Sequence, residues 1–358
     1  MAKRVLSIIK CESKGFECLP CERLNLDIER FSEYRDSDEH PAETPFENPP
    51  LKTSKKAIVE AQKHIPTILH YFLDGSRRTY KVADLVLGGR YLPLIAGQVG
   101  VSVVERVNSE QFVKPVREFC HFKNVLAFPN LIAADDLNYL QSQINQQGRF
   151  KFELMSYTVK KERNLVDLGI AKIMSEMHNL EIAAVQEMAK RNLLRNDRLL
   201  VIDGPLRFKK SFDIVQFRNV IGLSKSFRPS FTVGRGRRKV DVGALTSALM
   251  FGERTSVFKT TDVSKTIGMW YVCIRPRNRM TNPLQGIVKM ECYAMSEEQE
   301  DGLDSQRVDV ISSHLLRERN VTPYQADRRW ASHIYPIYLA EQYVKSSFVS
   351  DTQFRALF

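Results

Sequence analysis

The sequence contains no apolar run of the roughly 20 residues that a transmembrane helix requires. Its longest uncharged run, YLPLIAGQVGVSVV at 91–104, is too short and is interrupted by glycine. The amino-terminal residues, MAKRVLSIIKCESKG, also lack the long apolar segment of a signal peptide. We therefore expect a cytoplasmic protein with no membrane-spanning segment.

Cysteine is scarce, with six residues in a chain of 358 and no regular spacing. This usage predicts reduced thiols rather than a disulfide framework. Cys18 and Cys21 form a C-x-x-C half-site near Cys11, but no second pair completes four zinc ligands, and only Cys120 and His121 are available as distant contributors. We favour free cysteines in an N-terminal extension over a metal site.

Acidic residues are outnumbered by basic ones, 42 against 53, which gives a formal net charge of +11 and a pI near 9.3. Such a surplus favours a polyanionic partner, either nucleic acid or an acidic membrane face. A generally basic soluble protein is the alternative, so the distribution of the charge along the chain must decide. The hydrophobic content of 43% is sufficient for a real core.

The chain divides into a predicted N-terminal extension or arm at 1–60 and one domain at 61–358. Residues 22–56 are polar and acidic, contain four prolines and lack periodicity, which is typical of an extended connector. The predicted strands lie at 67–75, 79–89, 91–107, 149–159, 197–204, 267–276 and 283–295, with one more at the end of the segment 212–226. The predicted helices lie at 133–145, 164–194, 307–317 and 336–348. Strands in mixed order, interrupted by helices, predict one α/β domain rather than a doubly wound parallel sheet.

Two Asp-Gly pairs, at 74–75 and 203–204, each follow an apolar segment and precede basic residues. Taken alone, each pair is ordinary turn chemistry at the end of a strand. The predicted helix between them changes this interpretation, because Glu181 falls inside its apolar stripe while Glu176 and Glu187 lie at the edge or beyond. A carboxylate on a core-facing stripe is costly unless it is paired or binds a metal, and a salt bridge to a core arginine is the other explanation.

Asp74, Glu181 and Asp203 together form a strand-helix-strand set of carboxylates. Three acidic groups repel one another, and a divalent cation is the usual means of stabilising such a set. Oxygen ligands favour Mg²⁺ or Mn²⁺ over zinc. Two such ions can activate water and stabilise the leaving oxygen in phosphodiester hydrolysis.

A basic segment follows the second aspartate. Between Pro205 and Lys239 there are ten basic residues against the single acid Asp213, with five phenylalanines interleaved. Charge concentrated beside an acidic site can hold a phosphate backbone, which favours nucleic acid as the partner. The predicted nucleic-acid contacts are Arg77, Arg78, Arg207, Lys209, Arg228, Arg235, Arg237 and Arg238. For Arg77 and Arg78, expected on the turn after Asp74, solvated side chains are the alternative.

The order FLDGS, a helix with a glutamate, LLVIDGPL, VIGLSKS, PLQGIVKMEC and IYPIYLAEQYVKSSF resembles the NurA nucleases over residues 65–348. The resemblance implies an RNase H-like mixed sheet flanked by helices, with the N-terminal extension and the basic segment added to it. It also implies a DNA nuclease that uses Mn²⁺ or Mg²⁺, with a HerA-type hexameric ATPase as its partner. A homodimer and a role in DNA repair or antiviral defence belong to the same expectation.

Carried over onto this sequence, the resemblance makes Asp74, Asp203 and Glu181 metal ligands, with Glu187 as the substitute if the helix register differs. Lys225 in GLSKS corresponds to a lysine that faces the scissile phosphate.

The last helix should follow a Tyr-Pro pair, here Tyr335 and Pro336, and supply a histidine about eight residues after the tyrosine. This sequence has Tyr343 at that place. Glu341, which we include among the catalytic residues, and His333 lie close enough in sequence to substitute. This departure also leaves open a catalytically weakened member of the family.

Two other classes of function fit the same residues. One is an RNase H-like subunit, a Piwi-like variant included, that grips nucleic acid or a motor ATPase without cutting. The other is a basic structural subunit in which the two aspartates only cap turns.

Overall fold

The structure is a computed structural model of the chain, and it describes residues 3–26, 43–107, 112–160, 163–208, 210–234, 239–262, 265–280, 282–318 and 330–358. The strands in these ranges are β1 (Glu17–Asn25), β2 (Glu47–Asn48), β3 (Lys55–Ala57), β4 (Leu69–Leu87), β5 (Arg90–Arg106), β6 (Val113–Pro115), β7 (His121–Pro129), β8 (Phe152–Tyr157), β9 (Leu199–Asp203), β10 (Val220–Ser224), β11 (Thr232–Val233), β12 (Val240–Asp241), β13 (Glu253–Thr255), β14 (Phe258–Asp262), β15 (Lys265–Cys273), β16 (Ile287–Tyr293) and β17 (Leu303–Asp304). The α-helices are α1 (Val5–Glu12), α2 (Ala134–Gln147), α3 (Leu165–Lys190), α4 (Val242–Ser247), α5 (Glu298–Asp301), α6 (Ser305–Leu316), α7 (Tyr335–Ser346) and α8 (Asp351–Arg355). Short 3₁₀ helices lie at Arg117–Phe119, Ile214–Phe217, Arg277–Arg279 and Trp330–Ser332.

One large mixed sheet organises the fold, which confirms the predicted α/β class. Within the described ranges it has 13 strands, and its main path runs β3-β13-β15-β16-β10-β9-β4-β5-β7-β8. At its centre, β4 is antiparallel to β5 and β5 to β7, whereas β9 is parallel to β4 and β10 is parallel to β9. The helix α3 connects the antiparallel strands to the parallel pair, because it lies between β8 and β9 in the chain.

The strand β4 is unusually long and corrects the predicted turn at 74–75. Asp74 and Gly75 lie inside β4, and they pair with Ser102 and Val101 of β5. The first part of β4 also pairs with β9, and its second part pairs with β1. The hairpin turn comes later, at Gly88 and Gly89, which both have positive φ. The continuous apolar partner β5 outweighs the local turn preference of an Asp-Gly pair, because the residues around Asp74 and Gly75 gain ladder partners in β5.

Helices cover both faces of the central strands. Ile182 and Val185 of α3 pack with Leu73 of β4, whereas Ile337 of α7 packs with Phe72 of the same strand. Since successive strand residues point to opposite faces, α3 and α7 lie on opposite sides of the sheet. The central part of β4 is therefore buried between two helices.

The N-terminal extension contributes to the same sheet where it is described. Residues 22–25, predicted as part of a connector, complete β1, which pairs with β4. Farther along, β3 pairs with β13 at the other end of the sheet. Residues 27–42, the most acidic part of the predicted connector, lie outside the described residues. Among the helices in the described ranges, none is long and apolar enough to cross a bilayer.

Candidate active site

Asp74 and Asp203 occupy neighbouring positions on two parallel strands. The register between β4 and β9 ends at the pair Leu73 and Ile202, and the two aspartates are the next residues on their strands. Leu73 and Ile202 both belong to the core under α3. The alternation of side chains therefore directs both aspartates toward the face that α7 covers. Parallel pairing, rather than two separate turns, brings these carboxylates together.

Glu181 reaches the same strands from α3. It is only 4% exposed, as its place in the apolar stripe predicts. Its carboxylate lies against Gly75, where an added Cβ atom would come within 2.2 Å of Oε1 of Glu181. Burial, reinforced by the negative charge of Asp203, raises the pKa of Glu181 to about 8. The missing side chain of Gly75 is therefore what makes room for the glutamate.

The other two glutamates of α3 have different surroundings. Glu187, the substitute if the register differed, is exposed and pairs with Arg191 at 2.8 Å. Glu176 pairs with Lys123 at 2.5 Å and accepts a hydrogen bond from Asn179. Both glutamates therefore already have a basic side chain as their counter-ion. The helix thus places Glu181, and not its neighbours, against Gly75 of β4, on the face of the sheet opposite to the one toward which the aspartates point, although the charge of Asp203 still acts on it.

Lys225 binds Asp203 at the end of the next parallel strand. Its Nζ lies 2.6 Å from Oδ2 of Asp203, and the two side chains are only 8% and 13% exposed. The same Nζ lies 3.2 Å from Nε2 of His333, which is buried in the segment that leads into α7. Because an ammonium group only donates, a hydrogen bond between these two atoms requires Nε2 of His333 to be the acceptor.

Glu341 lies at the margin of this group. It is on α7, and its Oε1 accepts a hydrogen bond from Lys345 at 2.5 Å. Burial tends to raise the pKa of Glu341, but the hydrogen bond and charge of Lys345, with smaller contributions from Lys225 and His333, bring it below the usual value. Glu341 therefore has a cation of its own one helical turn away. Tyr343, at the position of the expected histidine, instead packs with Phe122.

The pKa of Asp74 shows that these carboxylates share one electrostatic environment. Burial raises it well above the usual value, and the negative charges of Asp203, Glu341 and Glu181 add to the increase. The charge of Lys225 opposes them. Asp74 is 5% exposed, so its charge is poorly solvated by water.

The carboxylates lack enough positive partners. In the part of the chain that the structure describes, neither Asp74 nor Glu181 has a hydrogen bond or ion pair through its side chain. Oδ1 of Asp203 is likewise buried without a hydrogen-bond partner there. Buried carboxylates normally have compensating donors or cations. Lys225 alone, among the described cations, contacts one of the three.

Divalent oxygen-seeking cations fit this donor set. Asp74, Glu181 and the free oxygen of Asp203 supply carboxylate oxygens alone, the ligands that Mg²⁺ and Mn²⁺ prefer. Across the described ranges, however, no group of three or more His, Cys, Asp or Glu side chains is arranged closely enough to form a ready metal centre. Cys11, Cys18 and Cys21 are free cysteines and belong to no such group in the described ranges. Burial raises the pKa of the Cys18 thiol to about 11.

The predicted nucleic-acid contacts are dispersed in the structure. Arg228 is exposed, whereas Arg78 donates to Val349 O and pairs with Asp351 near the carboxyl terminus. Arg77 belongs to β4 rather than to a turn, and it donates to Oγ1 of Thr79. Lys209, Arg235, Arg237 and Arg238 lie outside the described residues.

The phenylalanines of the basic segment lie in the core or pack against it. Phe208, Phe212 and Phe217 form an aromatic cluster with Tyr293. Phe227 packs on Tyr271, and Phe231 on Phe258. The charge of this segment is therefore its main feature for nucleic-acid binding.

A buried charged cluster, which the sequence interpretation missed, holds the turn after Asp203. Oε2 of Glu291 accepts the backbone N–H of Leu206 at 2.7 Å, and Oε1 pairs with Lys289 at 3.1 Å and Arg207 at 3.8 Å. Glu291 and Lys289 are at most 1% exposed. The signal was present in IVKMECY, where two opposite charges alternate with apolar residues in a strand. Arg207 therefore has a structural partner beside the site.

Comparison with known proteins finds no family model that matches the chain and no significant match among curated proteins. The site itself is what supports a functional conclusion.

Proposed function

We propose that this protein is a metal-dependent nuclease that hydrolyses phosphodiester bonds in DNA. One observation carries the proposal: Asp74 and Glu181 are buried carboxylates without a described partner, beside Asp203, whose Oδ1 is also unsatisfied. Leaving such groups unpaired in a protein interior costs several kcal/mol, on the order of 1–3 per group. Buried ionisable groups in such unfavourable surroundings are often found at functional sites.

The topology supports an RNase H-like assignment. The strands β7, β5 and β4 form an antiparallel unit, and β9 and β10 extend it as parallel strands on the other side of β4. This is the arrangement expected of the fold that the resemblance to NurA nucleases implies. The two aspartates then occupy adjacent central strands, where an RNase H-like acidic site is expected.

Asp74, Glu181 and Asp203 are the residues that would hold Mn²⁺ or Mg²⁺. When bound, such ions supply an activated water and stabilise the charge on the leaving oxygen. The proposal draws on carboxylates from β4, α3 and β9, and Glu181 would have to join the two aspartates from the opposite face of the sheet, past Gly75, which has no side chain. Glu341 is the fourth carboxylate near the proposed metal site, although it already forms an ion pair with Lys345.

Lys225 is the residue of this chain that faces the substrate phosphate in the proposed reaction. It lies on the third parallel strand's end, beside Asp203. An ammonium group there offsets the negative charge of the phosphodiester as it approaches the acidic site. The net charge of +11 and the exposed Arg228 favour the same polyanionic substrate.

The partner proposal rests on the resemblance to the NurA nucleases. It comprises a HerA-type hexameric ATPase that delivers DNA, and a homodimer of this chain that sits on it. Processing of DNA ends in repair and destruction of invading DNA use the same chemistry, and both are proposed roles.

Cleavage of linear and circular DNA tests the proposal. We expect the wild-type protein, with the ATPase added where needed, to cut in the presence of Mn²⁺ or Mg²⁺ and not in EDTA. Asp203→Ala should abolish cutting. Glu187→Gln, which changes an exposed carboxylate on α3, should leave it intact. Metal-dependent cutting that persists unchanged in Asp203→Ala would contradict the assignment.

A binding subunit without catalytic activity is the second proposal. The observation that favours it is the absence, across the described ranges, of a preformed group of three metal-ligating side chains. Such a subunit would bind DNA or the ATPase with equal affinity in Mn²⁺ and in EDTA. Gel-shift and pull-down measurements under both conditions, together with the cleavage assay, separate the two functions.

A further inference from the structure

Lys225 already binds an oxygen that a metal ion at this site would use. Its Nζ lies 2.6 Å from Oδ2 of Asp203, in a pair whose side chains are 8% and 13% exposed. In such a pair the attraction is weakly screened by water. A divalent cation bound to the same oxygen would face a positive charge at hydrogen-bond distance. The lysine and the cation therefore compete for Asp203.

The charge balance points the same way. Asp74, Glu181 and Asp203 carry up to three negative charges, and Lys225 is the single described cation in contact with them. With the lysine bound through Oδ2 of Asp203, Oδ1 of the same carboxylate is still buried without a hydrogen-bond partner in the described ranges. A divalent cation would balance the site better than one ammonium group, so its binding favours displacement of Lys225.

After displacement from Asp203, Lys225 would still have His333 as a hydrogen-bond partner. Nε2 of His333 already accepts a hydrogen bond from Nζ of Lys225 at 3.2 Å. His333 lies in the segment before α7, on the side of the sheet toward which Asp74 points. The ammonium group can therefore leave Asp203 without losing its polar contact with the protein.

We propose that Lys225 is a built-in counter-ion of the carboxylate site, and that a divalent cation binds by displacing it from Asp203. The released ammonium group then becomes available to a substrate phosphate. Metal binding thereby precedes productive substrate binding. This inference rests on the proposed metal-dependent function, and it adds a regulatory role for a residue of the chain.

Calorimetric titration with Mn²⁺ on the full-length protein tests this role without measuring activity. We expect Lys225→Met to bind Mn²⁺ about tenfold or more tightly than the wild type, because a close buried charge pair no longer opposes the metal. Lys225→Arg should bind Mn²⁺ with wild-type affinity, since it retains the competing charge. DNA cleavage should nevertheless fall in Lys225→Met.

Lys123→Met is the matched control. Lys123 pairs with Glu153 and Glu176, away from the aspartates, so its removal should leave Mn²⁺ affinity unchanged. Circular dichroism should confirm that each variant is folded. If Lys225→Met does not fold, Lys225→Arg still tests the proposal. Tighter Mn²⁺ binding by Lys225→Arg than by the wild type would overturn it.

The outcomes separate this inference from the proposed function. If the wild type binds Mn²⁺, Asp203→Ala does not, and Lys225→Met binds no more tightly than the wild type, the counter-ion role is overturned and the metal site stands. If the wild type binds no Mn²⁺, the metal-dependent function and this inference are both overturned.

Discussion

The carboxylate of Glu181 fills the space that a side chain at position 75 would occupy. A Cβ atom on Gly75 would lie 2.2 Å from Oε1 of Glu181 and 3.2 Å from Cγ of Met177. A helix glutamate is thus pressed against the backbone of the strand residue that follows Asp74. The proposed site depends on this contact, because the carboxylate of Glu181 can approach the backbone of β4 only where the strand has no side chain.

Gly75→Ala should therefore disrupt the site as well as the packing. We expect a loss of stability of about 1–3 kcal/mol from overpacking, and loss of Mn²⁺ binding because Glu181 must move. The control is Gly97→Ala on β5, whose Cβ would meet the apolar side chain of Ile173 on the same helix at 2.9 Å. It should lose similar stability by urea denaturation and keep its Mn²⁺ affinity by calorimetry. Equal Mn²⁺ affinities in the two variants would contradict the role given to Gly75.

The buried glutamate also predicts how the stability of the metal-free protein depends on pH. The pKa of Glu181 is about 8 in the folded state against 4.5 ordinarily, so between these values the folded state holds a proton that the unfolded state releases. Stability is then highest near or below pH 4.5 and is lost as the pH rises to 8, with a slope of at most about 1.4 kcal/mol per pH unit for this group. The raised pKa of Asp74 acts in the same direction.

Urea denaturation in EDTA at several pH values between 5 and 9 measures this dependence. Glu181→Gln should flatten the decline, and the slope that remains reports Asp74. Glu187→Gln should retain the wild-type profile, because that residue is exposed and paired with Arg191. A profile for Glu181→Gln that follows the wild type would show that Glu181 is ionised across the range.

The structure assigns different consequences to two of the predicted DNA contacts. Arg228 is exposed and follows Lys225 closely in the sequence, so Arg228→Ala should weaken DNA binding and reduce the slope of log K against log salt by about 0.9. Arg78 is held by Val349 O and Asp351, so Arg78→Ala should instead lower stability. Fluorescence anisotropy at several salt concentrations, with thermal unfolding alongside, checks both. The control is Arg191→Ala, which removes an exposed arginine at the end of α3 and should leave the salt slope unchanged.

Local patterns were sufficient for most element positions. The helices predicted at 133–145 and 164–194 correspond to α2 and α3, and those predicted at 307–317 and 336–348 correspond to α6 and α7. The apolar period of a helix is a local property, and the same period placed Glu181 on the buried stripe. The turn expected at 74–75 was wrong, because the pairing of β4 with β5 depends on residues about 30 positions away in the chain.

The sequence by itself determined the positions of α2, α3, α6 and α7, of most long apolar strands and of the glutamate that faces the core, since each follows from the spacing of neighbouring residues. The tertiary structure alone decided that Asp74 and Asp203 stand side by side, that Glu181 rests on Gly75 and that Lys225 binds Asp203. It also decided that Arg78 meets Asp351 rather than solvent. These contacts join residues that are far apart in the chain, and only strand pairing and helix packing bring them within hydrogen-bond or van der Waals distance.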